Sequence, residues 1–168
     1  LSYLLLGGTL AGLDAGGHHD ALAGADALAL AARWKDPDPV WQAVGFAAVN
    51  ALKRHLMDAA GFAPASATDS IAGLDPQPGE AIGMVGFFPP LVPQIVARGA
   101  RLTVLELRAD LVGERDGYTV TLDPAALAPC RKVLATSTVL LNRSFDAIAD
   151  AVRGAEVFAL VGPSAGCL

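Results

Sequence analysis

Glu106 is the carboxylate whose place in the chain most strongly suggests chemistry. It stands at the end of the apolar run LTVLEL, 20 residues after Gly86. Dinucleotide-binding folds place an acidic residue there to hydrogen-bond a ribose. The sequence leaves two interpretations open: a solvated carboxylate at a strand end, or a contact to a ribose, an amine or a metal. In a catalytic site Glu106 would act as the general acid/base or as a substrate anchor.

The segment GMVGFFPPLVPQI (residues 83–95) has the outline of a strand, a turn and a helix. A dinucleotide site needs GxGxxG there, so that backbone N–H groups surround the pyrophosphate. Only Gly83 and Gly86 are present, and bulky Phe87 follows. Donors are removed by three prolines: Pro89, Pro90 and Pro93. We therefore expect neither NAD nor another diphosphate cofactor here, and we expect Phe87 to line a pocket for something smaller.

Hydroxyl and amide side chains cluster in TSTVLLN (residues 136–142), directly after another apolar run. In a doubly wound sheet of order 3-2-1-4-5, this loop faces residues 87–90 across the crevice where such folds bind ligands. Thr138 and Asn142 are the candidate contacts. Helix capping by Asn142 or Ser144 is the alternative, and both roles are compatible.

Two further motifs favour structural interpretations. GPSAG (residues 162–166) matches the GxSxG nucleophile pattern, but the acid and histidine of that fold follow the serine in the chain. All three histidines precede it, so a turn presenting Ser164 is favoured over a serine hydrolase. The pair His18 and His19 lies between carboxylates in DAGGHHD, where a polar loop is favoured over a metal site. The metal ligands, if any, are left unknown.

These side chains need a sheet to position them. The second half of the chain alternates apolar strands (81–86, 101–107, 117–122, 132–137 and 156–162) with helices (90–99 and 144–155), which predicts a parallel sheet covered on both faces. The fold class is therefore α/β, with a Rossmann-like parallel sheet domain. A linker rich in Pro, Gly, Ser and Asp (residues 63–80) precedes it.

The first half predicts a hairpin and a long helix. SYLLL and TLAGL (residues 2–6 and 9–13) read as paired strands around a Gly-Gly turn. The helix begins with Asp38 as its cap and Pro39 in its first turn, and it ends near Gly61. Gly45 inside this helix indicates close approach by another backbone. Asn50 is a polar residue in its apolar sequence, which predicts either a structural hydrogen bond or a ligand contact.

Composition excludes several classes of partner. The formal net charge is −5 with no run of Lys or Arg, so nucleic acid is not expected. Residues 81–97 are apolar but contain three prolines and fall short of the about 20 residues of a membrane span. The first residues show no signal-peptide pattern, and two distant cysteines suit a reducing cytoplasm. We expect a cytoplasmic protein with a small-molecule ligand, and leave open whether it is a homodimer.

Taken together, WQAVGFAAVNAL, IGMVGFFPPLVPQI, LTVLEL, TSTVLLNRSFDAI and LVGPSAG resemble the "putative heavy-metal chelation" family, long labelled a domain of unknown function. The resemblance implies a small α+β domain like the N-terminal domain of enolase (residues 1–77), followed by the Rossmann-like domain (residues 78–168). It also implies a site where the two meet. Family members continue beyond the GPS segment, so we expect the second domain to be truncated, and the strands at the N-terminus look incomplete, so we expect the first domain to be incomplete as well.

The resemblance assigns Glu106 to catalysis and places Asn50, Thr138, Asn142 and Ser164 in the substrate site, to which we add Phe87. The expected function is heavy-metal chelation through a small chelator of pterin, flavin or siderophore-like chemistry, made or broken by condensation or hydrolysis in an interdomain cleft. The alternative is a non-catalytic module that binds a metal or a metal chelate. Scarce Cys and His in the motifs favour handling of a chelator over direct binding of a soft metal.

Overall fold

The computed structural model describes residues 2, 8–16, 21–63, 71 and 73–163. Contacts between residues divide the chain into two units. The first comprises Leu1–Ala65, Leu140–Asn142 and Gly162–Leu168. The second comprises Ser66–Val139 and Arg143–Val161. The predicted boundary after residue 77 and the enolase-like fold of the first domain stay predictions.

The described part of the first unit is built from helices. They are α1 (Thr9–Ala15), α2 (Ala27–Ala32), a 3₁₀ turn (Arg33–Lys35) and the long helix α3 (Pro39–Ala59). The prediction that residues 9–13 form a hairpin strand is wrong, because they are helical. Leu10 and Leu13 recur three residues apart, which suits a helix and not the alternation of a strand. Most of the other predicted strand, residues 2–6, lies outside the described residues.

The ends of α3 confirm the sequence-based prediction. Asp38 is the N-cap, and its Oδ1 accepts a hydrogen bond from Val40 N at 2.9 Å. Pro39 lies in the first turn, where its missing N–H costs nothing. The helix ends at Ala59, and Gly61 follows with φ 61°, a left-handed conformation that favours glycine.

Gly45 allows the turn before α3 to pack directly on the helix backbone. A Cβ atom at this position would lie 2.1 Å from Trp34 N and 2.5 Å from the carbonyl carbon of Arg33. The ring of Trp34 then packs 5.5 Å from the ring of Phe46, which is fully buried. The predicted close approach of a second backbone is confirmed.

The described strands of the second unit form one sheet. They are β1 (Ala81–Val85), β2 (Arg101–Leu105), β3 (Gly113–Arg115), β4 (Tyr118–Thr121), β5 (Lys132–Thr136) and β6 (Val157–Val161), in the order β3-β4-β2-β1-β5-β6. All neighbours are parallel except β3 and β4. The five predicted strands therefore lie in the predicted 3-2-1-4-5 order.

The short edge strand β3 was not predicted. It pairs with β4 through a tight turn at Asp116 and Gly117, where Gly117 has φ 83°. An Asp-Gly pair between short strands is a strong hairpin signal, so the sequence did carry the information. The two predicted helices are shorter than expected: α4 (Val92–Val96) and α6 (Phe145–Ala151). The one-turn helix α5 (Thr138–Leu141) was predicted as a loop.

The core of the second unit lies on one face of the sheet, beneath α4. Its buried apolar residues come from four strands, from α4 and from the segment before β1, and include Ile71, Leu74, Ile82, Met84, Ile95, Val104, Val120 and Leu134. On the opposite face, Leu127 and Cys130 cover the central strand at Gly83. Both faces of β1 are therefore packed, which explains its continuous apolar sequence.

Glu80 and Lys132 hold the amino ends of β1 and β5 together. Glu80 Oε2 accepts hydrogen bonds from Gln77 N at 2.9 Å and from Lys132 Nζ at 3.1 Å. The Lys132 ammonium also donates to the carbonyl of Asp75 at 2.9 Å. The Gln77 N–H, followed by Lys132, holds the pKa of Glu80 below its usual value, although partial burial opposes this shift.

We expect Gly45→Ala to lower the free energy of unfolding by about 2 kcal/mol, because backbone atoms of residues 33 and 34 cannot make room for a methyl group. Chemical denaturation at neutral pH measures the change. Gly154→Ala is the matched control, since a Cβ there would meet nothing within 4 Å. Equal stability of both variants would show that the helix and the turn before it separate readily.

We expect Glu80→Gln to lower the free energy of unfolding by about 1 kcal/mol at neutral pH. The folded state depresses the pKa of Glu80, so its contribution is present at neutral pH and is lost as the pH falls through that lowered pKa. Denaturation curves over a pH series should therefore converge for the two proteins in acid. A constant difference at every pH would contradict this assignment, and Asp116→Asn, an exposed carboxylate, serves as the control.

Candidate functional site at the carboxyl edge of the sheet

A glycine turn at the end of β1 is the centre of the candidate site. Gly86 has φ 81°, and its N–H donates to Leu105 O at 2.8 Å. A Cβ atom at Gly86 would lie 2.9 Å from Thr136 Cγ2. Glycine is therefore required both by the backbone conformation and by contact with the end of β5. The turn lies at the point where the strand order reverses, which is where open α/β sheets bind ligands.

Glu106 reaches this turn from the end of β2. Its Oε2 accepts a hydrogen bond from Phe87 N at 2.9 Å, and its Oε1 accepts one from Leu107 N at 2.7 Å. Its own N–H donates to Thr121 O at 2.9 Å, which fixes the residue against β4. A carboxylate of the protein thus occupies the N–H group that a bound phosphate would use in a dinucleotide-binding fold.

The rest of the turn offers few donors to an anion. Pro89 and Pro90 have no N–H, and the N–H groups of Leu91 and Val92 both donate to Phe88 O, at 2.9 and 3.3 Å. The helix that follows, α4, has only five residues. The prolines predicted to impoverish this position therefore stand where donors would be needed.

The ring of Phe87 contacts other residues of the second unit. It stacks on Tyr118 with ring centroids 6.2 Å apart and an angle of 22° between the planes. The side chain is half-buried and packs against the core beneath α4. Only part of the ring is left to contact a ligand.

Three consecutive hydroxyl residues lie at the end of β5: Thr136 is its last residue, and Ser137 and Thr138 follow it. Thr136 Oγ1 and Thr138 Oγ1 lie 2.9 Å apart, and Thr138 N donates to Thr136 Oγ1 at 3.3 Å. Between them, Ser137 N donates to Val161 O at 2.8 Å, while its side chain is fully buried. The Ser137 hydroxyl has no hydrogen-bond partner among the residues that the structure describes. Burying an unpaired hydroxyl costs about 1–3 kcal/mol.

Sequence reasoning grouped these three hydroxyl residues but named only Thr138 as a candidate contact, and not Thr136 or Ser137. The signal was present, because side chains alternate along a strand and a run of three hydroxyls at a strand end must direct one of them inward. The structure brings Glu106, Phe87 and this hydroxyl run to the same edge of the sheet, on either side of Gly86.

Two other predicted contacts, Asn50 and Asn142, belong to the first unit. Asn50 lies on α3, its Nδ2 donates to Ser2 Oγ at 3.3 Å, and it lines a cavity of about 400 Å³ with Arg54. Asn142 follows α5, next to Leu141, whose carbonyl accepts a hydrogen bond from the buried Gln42 side chain at 2.8 Å. Ser164 lies outside the described residues. Their participation in one site with Glu106 stays a prediction.

Metal ligands are not grouped in the part of the chain that the structure describes: no three His, Cys, Asp or Glu side chains there could hold an ion together. His18 and His19 lie outside that part. Burial raises the pKa of the Cys130 thiol, which a hydrogen bond with Thr103 only partly opposes. Among the described residues, no helix has the length and apolar character needed to cross a membrane.

Residues 69–168 match DUF364, a family described as "Putative heavy-metal chelation". The chain belongs to DUF364. The match includes β1, the Gly86 turn, Glu106 and the hydroxyl run, so the candidate site lies within the family's own sequence pattern. No curated protein is detectably similar in sequence to the chain.

Two solved DUF364 structures share the fold. One, from Desulfitobacterium hafniense DCB-2, has a TM-score of 0.66 at 22% identity over 89% of this chain and 58% of its own. The other, from Pyrococcus horikoshii, has a TM-score of 0.65 at 20% identity over 84% of this chain and 56% of its own. Both are proteins of unknown function. The present chain thus spans less than two thirds of the length of either DUF364 relative.

We expect Glu106→Ala to accelerate hydrogen exchange of the Phe87 N–H by about tenfold, because a hydrogen bond to a charged acceptor contributes about 1.5–3 kcal/mol. Exchange measured by NMR at single-residue resolution tests this. Asp116→Asn, which removes an exposed carboxylate elsewhere, should leave the Phe87 rate unchanged. An unchanged rate in Glu106→Ala would mean that the carboxylate does not hold the turn in solution.

Proposed function

We propose that this DUF364 chain binds a small chelator-type molecule, of pterin, flavin or siderophore-like chemistry, at the carboxyl edge of its sheet, and thereby takes part in heavy-metal handling. The observation that carries the proposal is the hydrogen bond from Phe87 N to Glu106 Oε2 at 2.9 Å. Through this bond, the Glu106 carboxylate places a negative charge of the protein beside the turn.

This internal carboxylate argues against a diphosphate ligand. A pyrophosphate at the turn would meet the negative charge of Glu106 and would lose the N–H that Glu106 already engages. Few other N–H donors remain at the turn, because Pro89 and Pro90 have no backbone N–H. NAD and other dinucleotides therefore fit this edge poorly, although the sheet order is that of a nucleotide-binding fold.

The same carboxylate suits a ligand that carries N–H or O–H groups. An ionised carboxylate has about four acceptor positions on its two oxygens, and Glu106 uses one on each oxygen for backbone N–H groups. The remaining positions can accept bonds from an amino-amide edge, as in a pterin, or from catechol hydroxyls. The hydroxyl of Thr138 and the exposed part of the Phe87 ring would add a polar and an aromatic contact.

A chemical step at this site would depend on Glu106. Glu106 would serve as the general acid/base of a condensation or hydrolysis, or as the anchor of the substrate. Asn50, Asn142 and Ser164 remain proposed contacts to the same ligand. A cytoplasmic location and a homodimer remain expectations from the sequence.

The alternative is a non-catalytic module that holds a metal or a metal chelate, as the family's description favours. Soft metals prefer thiolate or imidazole ligands, whereas the candidate edge offers carboxylate and hydroxyl oxygens. We therefore propose that the chelator binds the metal, and that side chains of the protein do not.

Thermal-shift and calorimetric titrations test the proposal with 6-hydroxymethylpterin, riboflavin, 2,3-dihydroxybenzoate, Cu²⁺, Zn²⁺ and NAD as separate probes. We expect one of the three organic probes to raise the melting temperature, since a ligand at about 100 times its Kd stabilises by about 2.7 kcal/mol. Glu106→Gln should weaken that probe about tenfold, because Gln can no longer accept on both oxygens.

Asp116→Asn, distant from the turn in sequence and exposed, should bind the probe as the wild type does. A shift produced by metal alone and reversed by EDTA would establish the non-catalytic alternative. The largest shift with NAD, or undiminished binding in Glu106→Gln, would refute the proposed site.

A further inference from the structure

The sheet carries a second polar surface, on the face opposite the core beneath α4. Thr103 on β2 is paired with Thr119 on β4, and Thr119 is paired with Glu114 on β3. Residues directly opposite on neighbouring strands point to the same face. Thr119 Oγ1 donates to Glu114 Oε2 at 2.8 Å. These three residues form a polar row, which the proposed function does not use.

The covering layer of this face stops at the polar row. Leu127 and Cys130 pack over Gly83, the residue of β1 paired with Thr103, and the Cys130 thiol hydrogen-bonds with Thr103. Over β2, β4 and β3 lies a cavity of about 480 Å³ instead. Small-molecule sites typically measure about 300–1,000 Å³.

Charge distinguishes this cavity from the rest of the molecule. The chain has a formal net charge of −5, but the residues that line the cavity include two arginines, Arg101 and Arg115, and a single carboxylate residue, Glu114. Arg115 donates to the carbonyls of Glu114 and Leu111, at 2.9 and 3.2 Å. Arg101 forms no ion pair with the described residues, so its charge is available to a ligand.

We propose that this cavity, here called the polar-row site, binds a small carboxylic acid that also carries a hydroxyl or amine. Arg101 holds the carboxylate, because a guanidinium presents two parallel N–H groups that match its two oxygens. Glu114 accepts a hydrogen bond from the hydroxyl or amine through an oxygen lone pair that Thr119 leaves unused.

The polar-row site is separate from the carboxyl edge of the sheet. Arg101 opens β2, whereas Glu106 follows its last residue, so the two sites lie at opposite ends of that strand. The polar-row site also has the opposite charge. The proposal for the polar-row site can therefore be tested independently of the chelator proposal.

NMR titration of the whole chain tests the proposal with L-malate and succinate, which differ only by a hydroxyl, at constant ionic strength set by NaCl. We expect saturable shifts of the Gly117 and Thr119 amides with L-malate, with a Kd on the order of 1 mM. Succinate should bind about fivefold more weakly, because it leaves Glu114 without its donor. The Phe87 amide should not move.

Arg101→Gln should weaken L-malate binding about tenfold, and Arg98→Gln, an exposed arginine outside the cavity, should leave it unchanged. Glu114→Gln should remove the preference for L-malate over succinate. Where Arg101→Gln does not fold, Arg101→Lys replaces it and should weaken binding about threefold, since it keeps the charge and loses the planar pair of donors.

The proposal is wrong if neither acid produces saturable shifts at Gly117 and Thr119, or if binding is the same in the Arg101 variants as in the wild type. Shifts that appear equally with NaCl would show a general salt effect and would likewise overturn it. Shifts confined to Phe87 and its neighbours would transfer anion binding to the carboxyl edge and refute the polar-row site.

Discussion

The contact between Gly86 and Thr136 is the constraint on which the carboxyl edge of the sheet depends. β1 lies at the point where the strand order reverses, between β2 on one side and β5 on the other, and it is parallel to both. The turn at its end therefore lies against the ends of both neighbours. A side chain at Gly86 would collide with the methyl group of Thr136 at 2.9 Å and would strain a φ of 81°. With glycine there, the turn lies close enough to β2 for Glu106 to reach the next N–H.

The hydrogen bond between Phe87 and Glu106 engages an N–H group of the turn that binds phosphate in nucleotide-binding folds, while the strand order of such folds is kept. Phosphate binding at such turns needs free N–H groups and the absence of a competing anion. Here one N–H bonds to a carboxylate, two donate to the carbonyl of Phe88, and two positions are proline. Each change is local and leaves the strand order intact. The strand order alone therefore does not decide the ligand class, as is true of α/β folds in general.

Sequence patterns predicted the sheet well because buried parallel strands have a distinctive composition. The apolar runs that became β1, β2 and β5 are largely buried, and the edge strand β6 is only partly buried. The strand order predicted from these runs is correct. The helical segment Thr9–Ala15 was misread as a strand, because a short apolar stretch carries too few residues to separate a period of 3.6 from a period of 2. β3 was missed because three residues give no period at all, although Asp116 and Gly117 marked its turn.

The candidate site was less predictable than the sheet, because what matters there is which partner each polar group finds. The sequence placed Glu106 at the end of a strand but could not show that both its oxygens would bind backbone N–H groups. It grouped Thr136, Ser137 and Thr138 but could not show that the middle hydroxyl would be buried, while the outer two pair with each other. Such outcomes depend on distances between strands that are far apart in the chain.

The charges at the two ends of β2 differ in sign, and this difference distinguishes the two ligands that we propose for the sheet. Glu106 follows the strand and presents negative charge beside a turn that offers few free donors. Arg101 begins the strand and presents positive charge beside the threonines of β2 and β4. Two groups about 15 Å apart along a strand are beyond a Debye length at physiological salt, so neither cancels the field of the other. The two proposals therefore assign a ligand rich in donors to one end and a carboxylic acid to the other, so that one strand would serve two unlike ligands.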